Sequence, residues 1–591
     1  MALVMSVTML FSVSSCSKKD PDGGHITKNP AESKPEYRET FPTDPTDVYI
    51  TPVPGPSDDN IVDFLMFSTY NGTEKSSDNE IKQLIAEKTG VRVDEYWLTG
   101  QTPDEAVGAI IASGDLPDFI DAGDLNIQMY QNGLLVAWDD YLERYPNLKA
   151  LYTDEEWEMF RMPDGHIYWA NVSERYNGKD TSTTHTGQAF WIQARVLEWD
   201  NYPKIETLDE YFDLLERYAA ANPTNPNGEP VIPYTCLCED WRYFSIEAAP
   251  MYLDGYANDG CVIVNNDDGD DNIRVIDYNT TDTARDYFRK LNEEYNKGII
   301  DPDFAVQTYD EYIEKLASGR VLGMCDQYWD FAYSIRIDFD HERTSSDGKS
   351  YTNAMIGCDY VPIGLVAEKG MEQRYHTYGA EQINTASGIA VTTGCFDPDR
   401  AFMFLNDLLD QEIMNLRFWG IEGVDYLIDE NGLFYRTQEM NDNWKSEGYK
   451  QYHTCEYSYM PQWRGMSSDG INRMMPSEQP SIFKETLPKE LIKCFDAYGA
   501  GNYVEMLGSV YCDSEKWYPL WSWSNGLDAN STAGAAWQRM SQCKHEWLPK
   551  IVLAKDFDSV WDSYMSAYED CDPDEFLDEA LAEVNRRIAN N

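Results

Sequence analysis

The sequence is poor in histidine and in positive charge, and it has no long apolar run. Seven histidines are scattered over 591 residues. None forms an HExxH pattern and no two stand at metal-ligand spacing, which argues against a zinc-hydrolase centre. A GxSxG nucleophile elbow and a phosphate-binding glycine loop are also missing, so serine-hydrolase and nucleotide-binding signatures are absent. Lysine and arginine total 47 against 103 acidic residues, a net charge of −56. Phosphate backbones are bound by clustered cations, so no nucleic-acid partner is expected. No stretch reaches the roughly 20 apolar residues that span a bilayer. The twelve cysteines lack the spacing of a disulfide framework, and Cys236 and Cys238 have no neighbouring Cys or His to complete a zinc site. They read mostly as buried thiols. Carboxylates are so numerous that no glycosidase-type pair stands out.

What is abundant is aromatic, with 40 Tyr and 17 Trp. Some fill cores; the remainder suit a groove that stacks flat polar ligands such as sugars. A hydrophobic share of 42% predicts a folded chain, long enough for several domains or two large lobes. Residues 2–15 (ALVMSVTMLFSVSS) are small and apolar and lead directly into Cys16. Val13-Ser14-Ser15-Cys16 resembles a bacterial lipobox, where a signal peptidase cuts before a cysteine that is then acylated. Acyl chains on Cys16 would anchor the chain in a lipid bilayer, at the extracellular face of the cell membrane, without a spanning helix. Residues 17–60 carry prolines at 21, 30, 35, 42, 45, 52, 54 and 56 and read as an extended, disordered tether.

From residue 61 the pattern is α/β. An apolar run at 61–67 predicts a strand. Ser77 and Glu80 read as a capping box for a helix ended by Gly90, and 91–97 reads as a second strand. Thr102, Pro103 and Glu105 open another helix, Gly114 closes it, and a third strand starts at 116–120. Strand–helix–strand–helix–strand with short links implies a parallel sheet with right-handed crossovers. Further strands are expected at 190–194 and 388–392, with an acidic hairpin over 262–276. Helices are expected from Thr207 and Glu210 to about 221, at 283–296 and at 400–416. The last 170 residues read as irregular until helices at 557–588.

The most informative stretch is 299–329, IIDPDFAVQTYDEYIEKLASGRVLGMCDQYW. After a turn at Asp301-Pro302-Asp303, Tyr309, Ile313, Leu316 and Ala317 mark one face of a helix. Gly319 stops it. Val321-Leu322-Gly323-Met324 then suits a strand covered on both faces. Asp326, Tyr328 and Trp329 fall at its carboxyl end, where α/β sheets place ligands.

Seven separated motifs carry a family resemblance: EKTGV (87–91), SGDLPD (113–118), DGHIY (164–168), TLDEY (207–211), GIIDPDF (298–304), LASGR (316–320) and WGIEGVDY (419–426). In this order and spacing, with the lipobox, the chain resembles the large lipid-anchored extracellular solute-binding proteins of bacterial ABC carbohydrate importers. The resemblance covers nearly everything after residue 60. It implies an α/β, periplasmic-binding-protein-like (type II) fold: two α/β lobes, a hinge, and a ligand cleft that closes between them. Lobe one is expected over 61–170 and 360–418, lobe two over 171–359 and 419–591. The implied role is capture of an oligosaccharide by a monomer and its delivery to ABC permease subunits, without catalysis. Relatives often carry a calcium loop. Here the comparable loop, 222–233, has Pro223 in first place and Tyr234 in twelfth, so it lacks the opening Asp and closing Glu, and no cofactor is expected.

Sugar binding needs aromatic faces with planar polar groups beside them. Candidates at strand ends and interlobe segments are Tyr70 and Asn71 after the first strand, Asp121 at the end of the third, and Trp169 where the chain crosses. Lobe two adds Trp241 and Arg242 in a polar loop, and Asp326, Tyr328 and Trp329. Trp463 and Arg464 lie in a segment placed to cover the cleft. Two other readings share the anchor and the aromatic content. One is a surface glycan-binding lipoprotein serving an outer-membrane transporter, usually helical with repeats of about 34 residues. The other is a lipid-anchored polysaccharide-degrading enzyme.

Overall fold

The computed structural model describes residues 61–590 except 174, 178–180, 257–260, 266–271, 376–382, 509–516 and 518–519. Cys16, the tether and the tip of the acidic hairpin lie outside the described residues. The strands that shape the molecule are, in chain order, β1 (Val62–Ser68), β2 (Val91–Trp97), β3 (Phe119–Asp121), β4 (Trp169–Ala170), β5 (Arg175–Asn177), β6 (Gln188–Gln193), β7 (Ile232–Thr235), β8 (Val321–Gln327), β9 (Tyr360–Ile363), β10 (Ile389–Val391) and β11 (Trp463–Gly465).

β1, β2 and β3 pair in parallel, and β10 and β4 extend the sheet antiparallel, in the order β2-β1-β3-β10-β4. The two crossover helices are Glu80–Thr89 and Pro103–Ser113, each closed by a glycine at φ near 70°. Thr102 and Glu105 form the expected capping box. The first helix differs: its N-cap is Asn79, which accepts from the Lys82 N–H, and not Ser77. Asn79 also donates to the carbonyls of Gln451 and Thr454, so tertiary bonds choose the cap.

The second sheet has the order β9-β6-β8-β7. β8 is its buried central strand, parallel to β7 and antiparallel to β6. Its preceding helix, Tyr309–Ala317, is capped by Thr308 and Glu311. Two buried cores follow the sheets. One gathers Phe64, Val93, Phe119, Trp138 and Phe404; the other gathers Trp191, Tyr211, Phe288, Leu322 and Tyr564.

The expected lobe boundaries need two corrections. Tyr360–Ile363 is β9 of the second sheet, and Tyr375 packs in the second core, so this lobe continues past 359. Conversely Cys455, Tyr457, Met460, Trp463 and Met474 pack in the first core. The chain returns to the first lobe after 419 and leaves it again past β11. The expected helix 400–416 is two helices, Pro398–Asp407 and Gln411–Phe418, the second capped by Asp410. The expected irregular tail contains Lys489–Tyr498 and the 21-residue helix Thr532–Val552. Lys544 and Pro549 disguise the latter's apolar pattern. Lys544 is buried against Asp277 at 3.2 Å, and Asn292 takes the carbonyls of Val552 and Ala554 at the helix end.

Three segments cross between the sheets: 171–187, 364–388 and 466–480. β5 on the first pairs in parallel with β11 at the start of the third. The buried Glu478 carboxylate accepts from Arg464 Nε (3.0 Å), Gly465 N (3.1 Å) and Thr181 Oγ1 (2.6 Å). Removing one partner of a buried ion pair leaves the other uncompensated. Glu478→Ala is therefore expected to lower stability by about 3–5 kcal/mol, read as a lower urea midpoint. A midpoint within error of the parent would show that the crossings are held by other contacts.

Candidate functional site

The carboxyl ends of both sheets run into the crossing segments, and two aromatic walls form there. On the first lobe the chain leaves β1 through Thr69, whose N–H and hydroxyl bond the Asp121 carbonyl at the end of β3. Tyr70 follows and stacks on Tyr459, with ring centres 5.0 Å apart and planes 12° apart. Trp97, ending β2, tilts onto the same Tyr459 at 5.6 Å. The Tyr70 hydroxyl lies by Asp121, Asp124 and Ser387, and burial with the two carboxylates raises its pKa. Asn71 is exposed, and its carbonyl accepts from the Tyr459 hydroxyl at 3.5 Å.

Asp121 is buried. Burial pushes its carboxyl up to about 6, against the pull of the Gly123 and Gly388 N–H groups. Gly388 belongs to the second crossing and sits at φ 139°, where a Cβ would fall 2.2 Å from the carbonyl carbon of Ala170. Only glycine lets the second crossing run this close to the first.

On the second lobe, Trp241 and Trp329 stack with centres 5.7 Å apart and planes 8° apart, and Phe244 tilts onto Trp329. Trp241 is 58% and Trp329 40% exposed, so the pair presents ring surface to solvent. Arg242 is layered between Trp241 (4.4 Å) and Tyr309 (4.0 Å) and bonds Asp240 and Asp330, each at 3.1 Å. The Trp329 indole N–H donates to Gln327. β8 passes straight into the helix Tyr328–Asp340, whose first two N–H groups bond the crossing-segment carbonyls of Gly187 and Thr186. Both walls therefore abut the crossings.

The structure divides the sequence candidates. Tyr70, Asn71 and Asp121 come together on one wall, and Trp241, Arg242 and Trp329 on the other. Tyr328 is only half-buried and is occupied by Trp191, Tyr333 and Tyr503. Four candidates are corrected. Trp169 is a core residue of β4 with its indole N–H on the Thr385 carbonyl, and Trp463 is buried in the first core. Asp326 is fully buried, accepting from Tyr312 and Gln327, with its pKa driven well up by burial and by the nearby Asp330. Arg464 holds Glu478 at the hinge and does not cover a cleft. Trp169 and Asp326 lie on strands buried on both faces, so nearness to a strand end does not bring them to the cleft. Trp97, Phe244, Tyr309, Ser387 and Tyr459 were missed. Trp97 ends a strand, the signal used for Tyr70; Tyr459 lies in a segment with no periodicity.

The 222–233 loop uses Asn225 internally: its Oδ1 accepts from Asn227 and Glu229, and its amide donates to Glu229. Among the described residues no group of three or more His, Cys, Asp or Glu is placed to hold a metal ion.

Because folded Asp121 binds its proton more tightly than the unfolded chain, its contribution to stability is complete below the ordinary value of 3.8 and is lost as pH rises through about 6. The shift is worth about 3 kcal/mol. Asp121→Asn is expected to remove that part of the stability loss between pH 4 and 6.5, measured against the parent because Glu95, pushed up to about 7, adds its own slope. Identical pH profiles for the two proteins would contradict the assignment.

No family model matches the chain. Among curated proteins it is similar to the polygalacturonan/rhamnogalacturonan-binding protein YtcQ of Bacillus subtilis (strain 168), 21% identical over 391 residues, 63% of this chain and 68% of that one. Among solved structures it is similar to the Streptococcus pneumoniae ABC-transporter substrate-binding protein FusA, an EF-hand mutant in complex with fructo-nystose. The TM-score is 0.58 at 16% identity, over 90% of this chain and 100% of that one. An HMO-binding, ABC-transporter-associated solute-binding protein from Bifidobacterium longum infantis gives 0.58 at 15% identity, over 90% and 99%. The alginate-binding protein AlgQ2 without calcium ion gives 0.55 at 15%, over 90% and 99%. These neighbours are binding proteins. The chain has their fold, the two-lobed α/β fold of periplasmic-type solute-binding proteins, with its walls of aromatic and carboxylate side chains where the lobes meet.

Proposed function

We propose that the chain is the substrate-binding protein of an ABC importer, capturing an oligosaccharide between its lobes and releasing it to the permease without chemical change. The observation that carries this reading is the Trp241–Trp329 pair, stacked and partly exposed at the carboxyl end of β8, with a second stacked pair, Tyr70 and Tyr459, just past the carboxyl end of β1. Pyranose C–H faces lie on such rings, and the carboxylates beside them hydrogen-bond hydroxyls. On the second lobe, Asp326 is sealed in the core and Asp330 is held by Arg242, so neither is free to act on a bound glycan. The relatives' named ligands support sugar as the ligand class. Acylation of Cys16 would keep the captured sugar near the transporter on the extracellular face.

Purified chain is expected to gain thermal stability from an oligosaccharide of a broad panel and to leave it intact by mass spectrometry. Trp329→Ala should weaken that ligand by about 1–3 kcal/mol, measured by calorimetry, with little change in unliganded melting. Shortening of the glycan, or full affinity in the variant, would count against capture by these rings. In cells, Cys16→Ser should move the protein from the membrane fraction to the medium; retention in the membrane would refute the anchor.

A further inference from the structure

Among the described residues, the titratable groups beside the rings of the two walls are mainly carboxylates. On the first lobe the groups acting on Asp121 are two backbone N–H groups and a second carboxylate, Asp124; those acting on the Tyr70 hydroxyl are Asp121, Asp124, Ser387 and Tyr459. Asp121 Oδ1 accepts from the Gly123 N–H at 3.0 Å. On the second lobe the cation at the aromatic pair is Arg242, which Asp240 and Asp330 already pair and Trp241 and Tyr309 sandwich. Farther along the helix behind Trp329, Arg336 is paired with Asp340 and Asp359. At the hinge, Arg464 is paired with Glu478 and Arg175 with Glu156. Lys75, in the loop after Tyr70, directs its ammonium to the Lys450 carbonyl and Thr454 hydroxyl. The surrounding molecule carries −56, so the long-range field adds to the local one.

A sugar carboxylate in this setting would lose its hydration, meet Asp124 and an ionised Asp121 as like charges, and find each of these cations engaged. Reaching Arg242 would mean displacing a carboxylate that already holds it. An uncharged sugar meets no such penalty: its hydroxyls donate to the same carboxylates and its C–H faces cover the rings. Resting on the capture reading above, we infer that the cleft selects uncharged oligosaccharides and rejects uronate-bearing ones.

The clean probe keeps ring stereochemistry and removes charge. Calorimetry at pH 7 and low salt would compare a tetragalacturonate with its fully methyl-esterified form, alongside neutral manno-, galacto- and fructo-oligosaccharides of similar length. At least one neutral ligand is expected to bind, the ester at least 10-fold tighter than the acid, and 0.5 M salt should narrow that gap. Asp124→Asn should narrow the gap between acid and ester, read as the ratio of their affinities in the same variant. If the acid binds as tightly as its ester, selectivity against uronates is wrong while oligosaccharide capture stands. If the folded chain binds none of these sugars, acid or neutral, the capture reading falls and this inference with it.

Discussion

The Glu478 carboxylate is the constraint on which the cleft depends. It is buried, so its charge must be matched inside the protein, and Arg464 and Gly465 of β11 and Thr181 of the first crossing match it. The β5–β11 ladder sets the register of those segments, and the Thr183 hydroxyl adds a bond to the Ser477 carbonyl. Gly388 sets the remaining approach, bringing the second crossing against Ala170. These contacts tie the crossings together between two large cores. That link fixes which strand ends look into the space between the lobes.

The two walls are built by one device used twice. In each lobe a buried strand runs out of apolar residues as it nears the hinge, and the chain turns with an aromatic at the exit: Tyr70 after β1, Trp329 after β8. Neighbouring segments then supply the stacking partner, Tyr459 or Trp241. The polar groups beside the rings are mostly carboxylates, and the adjacent arginine is already neutralised. The result is a surface suited to stacking and to accepting hydroxyl hydrogen bonds.

Much of this was legible in the sequence. The β1–β3 unit, the helix before β8 and the α/β class followed from period, caps and glycine stops, because those are local effects. Tyr70, Trp241 and Trp329 were legible as residues at strand ends or in a polar loop. Trp169, Trp463 and Asp326 were not, since a Trp or Asp near a strand end reads the same whether it faces core or cleft. Tyr459 was invisible for a different reason: it sits in irregular chain, placed by the packing of Tyr457 and Met460 into the first core.

By itself the sequence determined the α/β class with its opening parallel β1–β3 unit, the acidic composition that argues against a nucleic-acid partner, and the aromatic supply for the walls. These follow from composition and short-range pattern. Only the tertiary structure decided which aromatics are exposed, where the chain returns to the first lobe after 419, and that Arg242 beside the tryptophan pair is already ion-paired. Those outcomes depend on contacts between residues far apart in the chain, such as Arg242 with Asp330 and Asn79 with Thr454, which no local spacing encodes.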